Sequence, residues 1–417
     1  MPQWTIEPLA LEQALELRPN AILYRLGRTF AATPDAYVAE VDDPELNFKD
    51  LADEGFLEIE PVSGVHAQLF KRWMGRGQLS TGMGTAACTI RWRGETFIAV
   101  TARWALTFNE RVRHWVIGRS PALVEEFLSA ALDAVHIPRD SVLVYASSCF
   151  SRDKELFRAI QESEWSDLIA PAEVTARMRS DVRTFLDSRE TYRQYRVPHK
   201  RGILLSGPPG NGKTFTVRLL LKEAALPILS VRSFAARYGE EEGNITNVFL
   251  RARRLAPCVL VLEDVDSLVK PTCLSVFLNE LDGLSGDTGI LTIATTNHPE
   301  RLDPALLERP SRFDRKYHFA LPDTAERARY LESWNGRFEP AMRLDSEVVR
   351  ELADRTEGMS FAFLKELVVS AMVRWMAERQ PGAMRGLALA ELEALRATWR
   401  PIDEGDVPPA PKKREED

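Results

Sequence analysis

The run ILLSGPPGNGKTFTVRLLLKEAA, residues 203–225, restricts the fold more than any other part of this 417-residue chain. A short apolar segment leads into a turn rich in glycine and proline. The turn opens directly into a segment whose apolar residues recur at helical spacing. A buried strand that passes straight into a helix belongs to a strand–helix–strand crossover, so a parallel sheet covered on both faces is expected. The turn fits G-x-x-x-x-G-K-[ST], with Gly207, Gly212, Lys213 and Thr214 at the required positions. Glycines let the backbone curl so that its N–H groups converge on an anion, and the helix that follows presents its positive end to the same point. Lys213 is then placed to bridge the outer phosphates of a nucleoside triphosphate, and the Thr214 hydroxyl to hold Mg²⁺.

A second run, VLVLEDVDSL at 259–268, has the form of a buried strand that ends in acids. Hydrolysis of a bound triphosphate needs one carboxylate near the metal and another to orient the attacking water. A central strand ending beside the phosphate loop delivers both. Further strands are expected at 203–206, 227–231, 290–295 and 316–319. Beyond Pro322 the pattern turns wholly helical, in TAERARYLESW, SEVVRELADRT, SFAFLKELVVSAMVRWMAE and LALAELEALRATW. The resulting division is an N-terminal α+β domain over 1–160, a large α/β domain over 161–322 and a helical subdomain over 323–400. A Pro-rich, charged tail over 401–417 is expected to be disordered.

The N-terminal region alternates strand and helix signals. TIRWRGETFIAV reads as a hairpin folded about Arg93-Gly94-Glu95, RVRHWVIGR as a strand, and SPALVEEFLSAALDAV as a helix with a Ser-Pro start. SVLVYASSC reads as a strand of the same domain. Net charge is −7, but residues 1–60 hold thirteen acids against four basic residues, whereas 71–119 hold nine basic residues against two acids. The basic stretch carries Trp73, Trp92, Trp104 and Trp115 and offers a nucleic-acid surface as one reading. Tryptophans at period-two spacing more often fill a core, so a strand-rich fold with tryptophans inside and arginines on solvated faces is favoured, and nucleic acid is not the favoured partner. The six histidines form no H-E-x-x-H, which excludes a fused zinc protease. Cys88, Cys149, Cys258 and Cys273 lack C-x-x-C spacing and read as reduced, buried thiols. The start has no basic segment followed by an apolar core, and no run approaches the ~18 apolar residues of a membrane span. A cytoplasmic protein is expected.

Taken together, GPPGNGKT, VLVLEDVDSL and LTIATTNHPERLDPALLERPSRFDRKYHF resemble the Walker A, Walker B and sensor 1 plus second homology region of the AAA branch of the AAA+ ATPases. The resemblance runs from about 165 to 380. It implies an AAA+ P-loop fold: a three-layer α/β domain with a parallel sheet and a C-terminal helical lid. It also implies ATP and Mg²⁺ as cofactors, and a homo-oligomeric ring, a hexamer ahead of a heptamer, acting on a protein client. In that frame Gly207, Pro208, Pro209, Gly210, Asn211, Gly212, Lys213, Thr214 and Phe215 surround the nucleotide. Asp167 and Leu168, near Trp165 and Ile169, fall where the family contacts adenine. Thr214 and Glu263 stand as metal ligands, Asp264 as the base and Asn297 as the residue that helps position water.

Arg309 and Arg312 match the two arginine fingers that reach a neighbouring subunit, and Asp282 and Gly283 match a segment that couples subunits. The chain departs from the family in four places. The acids run Glu-Asp rather than Asp-Glu, so each side chain differs from its expected counterpart by one carbon–carbon bond, ~1.5 Å. Glu308 is inserted and Ser311 replaces glycine beside the arginines, which makes Arg312 the firmer finger match. The pore-loop position reads Arg237-Tyr238-Gly239, with the aromatic displaced by one. In wording, NHPERLDPAL and LEDVD are especially similar to the AAA chaperones that move folded Rieske protein and to their soluble bacterial and fungal cousins.

Overall fold

The computed structural model describes residues 36–398, apart from 44, 63–68, 76–77, 84–85, 106–109, 236–240, 285–288 and 310. Two compact units emerge, divided between Pro138 and Arg139.

In the first unit the elements run β1 (Tyr37–Val41), α1 (Phe48–Asp53), β2 (Glu58–Pro61), β3 (Leu69–Gly75), β4 (Gln78–Met83), β5 (Ala86–Trp92), β6 (Glu95–Ala105), β7 (Glu110–Gly118) and α2 (Pro121–His136). Five strands form an antiparallel sheet in the order β1-β7-β6-β5-β2, while β3 and β4 pair separately. The tight turn between β5 and β6 needs left-handed backbone at both central residues, and Arg93 and Gly94 adopt φ of 49° and 83°. Helix α2 starts where Ser120 caps the Leu123 N–H and Pro121 follows. Its Phe127 stacks on Phe97 of β6, with ring centroids 4.6 Å apart. Trp92 and Trp115 are buried, and the Trp115 indole N–H donates to Glu40 Oε2 at 3.2 Å. The side chains of Trp73 and Trp104 lie outside those described. The acidic N-terminal segment meets the basic stretch directly: Glu40 and Asp42 pair with Arg113, and Glu60 pairs with Arg91. These arginines therefore face carboxylates of their own unit.

The second unit holds β8 (Val142–Ala146), β9 (Cys149–Asp153), α3 (Lys154–Glu162), α4 (Ala172–Asp187), α5 (Arg189–Gln194), β10 (Lys200–Ser206), α6 (Lys213–Ala224), β11 (Ile228–Val231), α7 (Glu241–Leu255), β12 (Cys258–Leu262), α8 (Val265–Leu268), α9 (Leu274–Asp282), β13 (Ile290–Thr296), α10 (Pro304–Leu307) and β14 (Arg315–His318). The sheet order is β14-β10-β13-β12-β11-β8-β9. Every pairing is parallel except β8 with β9. Strands β11, β12 and β13 are buried along their whole length, as strands covered on both faces must be.

The strand in SVLVYASSC belongs here and not with the N-terminal sheet. It pairs with β11 in the register Leu229↔Leu143, and Ile160 of α3 joins the same core as Ile203 and Val259. Its four leading residues are buried, which only a covered sheet provides. The compact unit consequently begins about twenty residues before the expected boundary at 160. Cys149, on edge strand β9, is exposed, contrary to expectation, whereas Cys88, Cys258 and Cys273 are buried; all four are free thiols.

Four helices complete the unit: α11 (Thr324–Arg337), α12 (Ser346–Arg355), α13 (Phe361–Glu378) and α14 (Met384–Thr398). Asp323 and Glu326 form a capping box at the start of α11. Leu331, Leu352, Leu367, Trp375 and Leu392 build a core of their own. The fold is thus an α/β nucleotide-domain sheet with a C-terminal helical region, as expected. The charged tail and Arg237-Tyr238-Gly239 lie outside the described residues. Among those described, no helix is long and apolar enough to cross a membrane.

Candidate active site

The phosphate loop joins β10 to α6. Gly207, Gly210 and Gly212 take φ of 133°, 80° and 89°, conformations that side chains resist. At Gly207 a Cβ would lie 2.1 Å from the Phe319 carbonyl oxygen, so glycine is required there sterically as well. Lys213 begins α6, is buried, and donates to the carbonyls of Gly207 (2.6 Å) and Pro208 (2.8 Å). Burial pushes its ammonium down to about 8, with Asp264 and Asp266 pulling the other way. Asn211 is also buried, and among the described residues neither polar atom of its amide has a hydrogen-bond partner. An unpartnered buried amide inside an anion-shaped loop fits a ligand that completes its bonding.

Thr214 follows Lys213, and its hydroxyl donates to Glu263 Oε2 at 3.1 Å. The two expected metal ligands therefore converge on one point. Burial raises the Glu263 carboxyl pKa; the Thr214 hydrogen bond opposes this, Asp264 adds repulsion, and Arg218 and Arg232 counter it. A bound cation would offset the same burial cost. Asp264 sits in left-handed backbone, φ 49° and ψ 53°, a conformation that side chains resist. Its N–H donates to the Thr295 hydroxyl at 3.0 Å, and Asn297 Nδ2 donates to Asp264 Oδ1 at 2.8 Å. Next to it, Asp266 accepts from the Thr296 hydroxyl at 2.6 Å, tying the acid turn to the end of β13. Each carboxylate thus has its own partner, Glu263 with Thr214 and Asp264 with Asn297. A cavity of about 500 Å³ opens at Thr214, Glu263 and Asp264.

A further cavity of about 410 Å³ lies across the loop, between Asp167, Leu168 and Ile169 on one side and the helical region on the other. Its floor is Gly210, Asn211, Gly212 and Phe215, while Gly207, Pro208, Pro209, Lys213 and Thr214 do not line it. Sequence reasoning missed the opposite wall: Tyr330, Trp334 and Arg337 of α11, and Phe361 and Lys365 of α13. The i, i+4, i+7 spacing on α11 marks one helical face and was the available signal. Arg337 closes an ion pair with Asp167 at 2.9 Å, and the Ala362 N–H donates to the Gly210 carbonyl at 3.1 Å. Volume and aromatic lining suit a nucleoside.

The two arginines stand apart from these groups, on the loop before β14. Arg309 is exposed and Arg312 buried, and both bind Asp282 at the end of α9. Their exposure runs opposite to the sequence ranking, because the carboxylate that draws Arg312 inward lies thirty residues upstream. Gly283 follows as the helix cap, its N–H on the Asn279 carbonyl at 2.8 Å.

A parallel sheet whose β10 opens into a phosphate loop, with β12 ending in acids beside it, defines a P-loop nucleotide-binding protein. Residues 203–321 match the model of the ATPase family associated with various cellular activities (AAA). That stretch is therefore similar to an AAA ATPase domain. It is 33% identical over 223 residues to the ATPase family gene 2 protein of Saccharomyces cerevisiae, covering 50% of this chain and 28% of that protein. It is 35% identical over 231 residues to the ATP-dependent zinc metalloprotease FtsH of Acidothermus cellulolyticus (51% and 34%). It is 30% identical over 279 residues to the cell division cycle protein 48 homolog of Archaeoglobus fulgidus (63% and 38%). The chain spans about a third of the length of these curated relatives. A crystal structure of the FIGL-1 AAA domain in complex with ADP aligns with 60% of this chain and 92% of that one, at 22% identity and a TM-score of 0.47.

Proposed function

We propose that this chain is a Mg²⁺-dependent ATPase that assembles into a homo-oligomeric ring and uses hydrolysis to remodel or translocate a protein client. The observation that carries the reading is the pair of separate contacts at the acid turn, Thr214 with Glu263 and Asn297 with Asp264. Thr214 and Glu263 would hold Mg²⁺, which supplies charge stabilisation to the phosphates when bound. Asp264 accepts the proton of the attacking water at its carboxylate, and Asn297 holds that carboxylate in place from Oδ1. Gly207 to Thr214 bind the phosphates through backbone N–H groups and the Lys213 ammonium. Asp167, Leu168 and Phe215 enclose the base together with α11. Arg309 or Arg312 then completes the site of an adjacent subunit, where a guanidinium stabilises developing charge.

A protein client is supported by the similarity to the ATP-dependent zinc metalloprotease, whose name gives it a protein substrate. Turnover per subunit, measured against protein concentration, tests the proposal. It is expected to rise to a plateau and to fall about 10²-fold or more in Asp264→Asn while ATP binding persists. Turnover that stays constant on dilution would refute assembly. Near-normal turnover in Asp264→Asn with none in Glu263→Gln would reverse the two acids.

A further inference from the structure

Arg309 and Arg312 stand three residues apart on one loop, yet the structure gives them unequal freedom. Arg312 spends its whole guanidinium inside its own subunit. Nε donates to Asp282 Oδ1 at 3.1 Å, Nη2 to Asp282 Oδ2 at 2.8 Å, and Nη1 to the Ala305 carbonyl. The side chain is 4% exposed. Its backbone is held as well, since the Arg312 carbonyl oxygen presses on β10 where a Cβ at position 202 would come within 1.8 Å. Asp282 is fixed in turn: Lys200 Nζ donates to the carbonyls of Leu281 and Asp282 at 3.2 and 3.3 Å. Arg309 is 63% exposed, and among the described residues it contacts Asp282 Oδ2, at 2.8 Å. A fork with all its edges engaged in a buried pair cannot serve a second molecule without dismantling that pair. An exposed arginine sharing a carboxylate gives up little by leaving.

We infer that the two arginines divide the work: Arg312 is a positioning residue fixed within its own subunit, and Arg309 is the arginine that leaves, parked on Asp282 until a neighbour's phosphate competes for it. The destination of Arg309 rests on the assembly proposed above, whereas the fixing of Arg312 is a property of the single subunit. Asp282 suits the parking role, because the Arg312 hydrogen bond holds its carboxyl below the usual carboxylate range and keeps it charged.

The test combines melting of dilute subunits with ATPase kinetics of concentrated ones. Arg309→Ala is expected to melt within about 1 °C of the parent, while kcat falls about 10²-fold or more and KM for ATP changes less than about threefold. Arg312→Ala is expected to lower the melting midpoint by several degrees. Adding Asp282→Ala to it should reduce kcat by less than a further factor of about two, since both changes break one seat. Parental melting in Arg312→Ala together with a full loss of kcat overturns the inference, as do additive losses in the double variant. Should Arg312→Ala not fold, Arg312→Lys replaces it and is expected to melt several degrees below the parent; a parental midpoint again overturns the inference. If turnover is independent of concentration and of Arg309, the assembly reading fails and takes the Arg309 role with it, while the melting order still decides the case for Arg312.

Discussion

Replacing Gly202 with alanine probes the contact on which the arginine loop is seated. A Cβ there would stand 1.8 Å from the Arg312 carbonyl oxygen, 2.8 Å from its carbonyl carbon and 3.0 Å from Phe313 Cα. The neighbouring atoms are backbone, so no side chain can rotate away. To reach even a 3.0 Å contact the carbonyl must retreat by about 1.2 Å, and overpacking of that kind costs about 1–3 kcal/mol. The same retreat pulls the Arg312 fork off Asp282, where a charge-assisted hydrogen bond contributes about 1.5–3 kcal/mol. Alanine offsets about 0.4–1 kcal/mol of this by narrowing the unfolded ensemble. The expected net loss is on the order of 3 kcal/mol, a fall in Tm of roughly 6–12 °C for a unit of this size. Thermal unfolding followed by circular dichroism measures it. Gly243→Ala is the control, since nothing lies within 4 Å of a Cβ there and α7 gains about 0.5–1 kcal/mol from alanine. A Tm for Gly202→Ala within about 1 °C of the parent would falsify the reasoning.

Two more outcomes are expected. With the Lys213 ammonium at about 8 in the free site, nucleotide binding must restore a proton above that pH. Affinity is therefore flat below about pH 8 and weakens roughly tenfold per unit above it, as titration calorimetry between pH 7 and 9.5 would record. Lys213→Arg, charged throughout, should remove the step, and a flat profile in the parent refutes the assignment. The stability linkage has the opposite sense. Between about 8 and the ordinary lysine value of 10.5 the unfolded chain holds a proton that the folded chain has shed, so this group's contribution to stability rises with pH. Arg327 is buried at the base of α11, donating to the carbonyls of Ala353 (2.8 Å) and Pro322 (2.7 Å) and to the Thr324 hydroxyl (3.0 Å). Arg327→Met keeps the apolar stem but strands those acceptors. A loss of about 2–4 kcal/mol is expected in urea unfolding, and a change under about 0.5 kcal/mol would contradict it.

Much of the site was legible locally. The phosphate loop, the acid strand and Asn297 each sit within a few residues of a strand end whose apolar run announces it. The residues at a strand end share its position whatever the rest of the chain does. The division of the reversed acids was not legible, since Glu263 meets Thr214 and Asp264 meets Asn297 only because β10, β13 and β12 end side by side. The aromatic wall of α11 was readable as a helical face, although nothing in its spacing says what the face meets.

What escaped the sequence depends on which distant segments come together. A short apolar run identifies β8 as a strand but does not name its partner, and pairing with β11 joins it to the seven-stranded nucleotide-domain sheet. Motif matching ranked Arg312 above Arg309 as the finger. Their environments diverge because Asp282 and the Ala305 carbonyl together engage the whole Arg312 guanidinium and Gly202 leaves room for its backbone, whereas Arg309 reaches Asp282 from the exposed side. Residue type and spacing, set by covalent neighbours, determined the loop, the acids and the helices. Exposure, pairing and charge balance arise from contacts between residues far apart in the chain, and only the tertiary structure decided those.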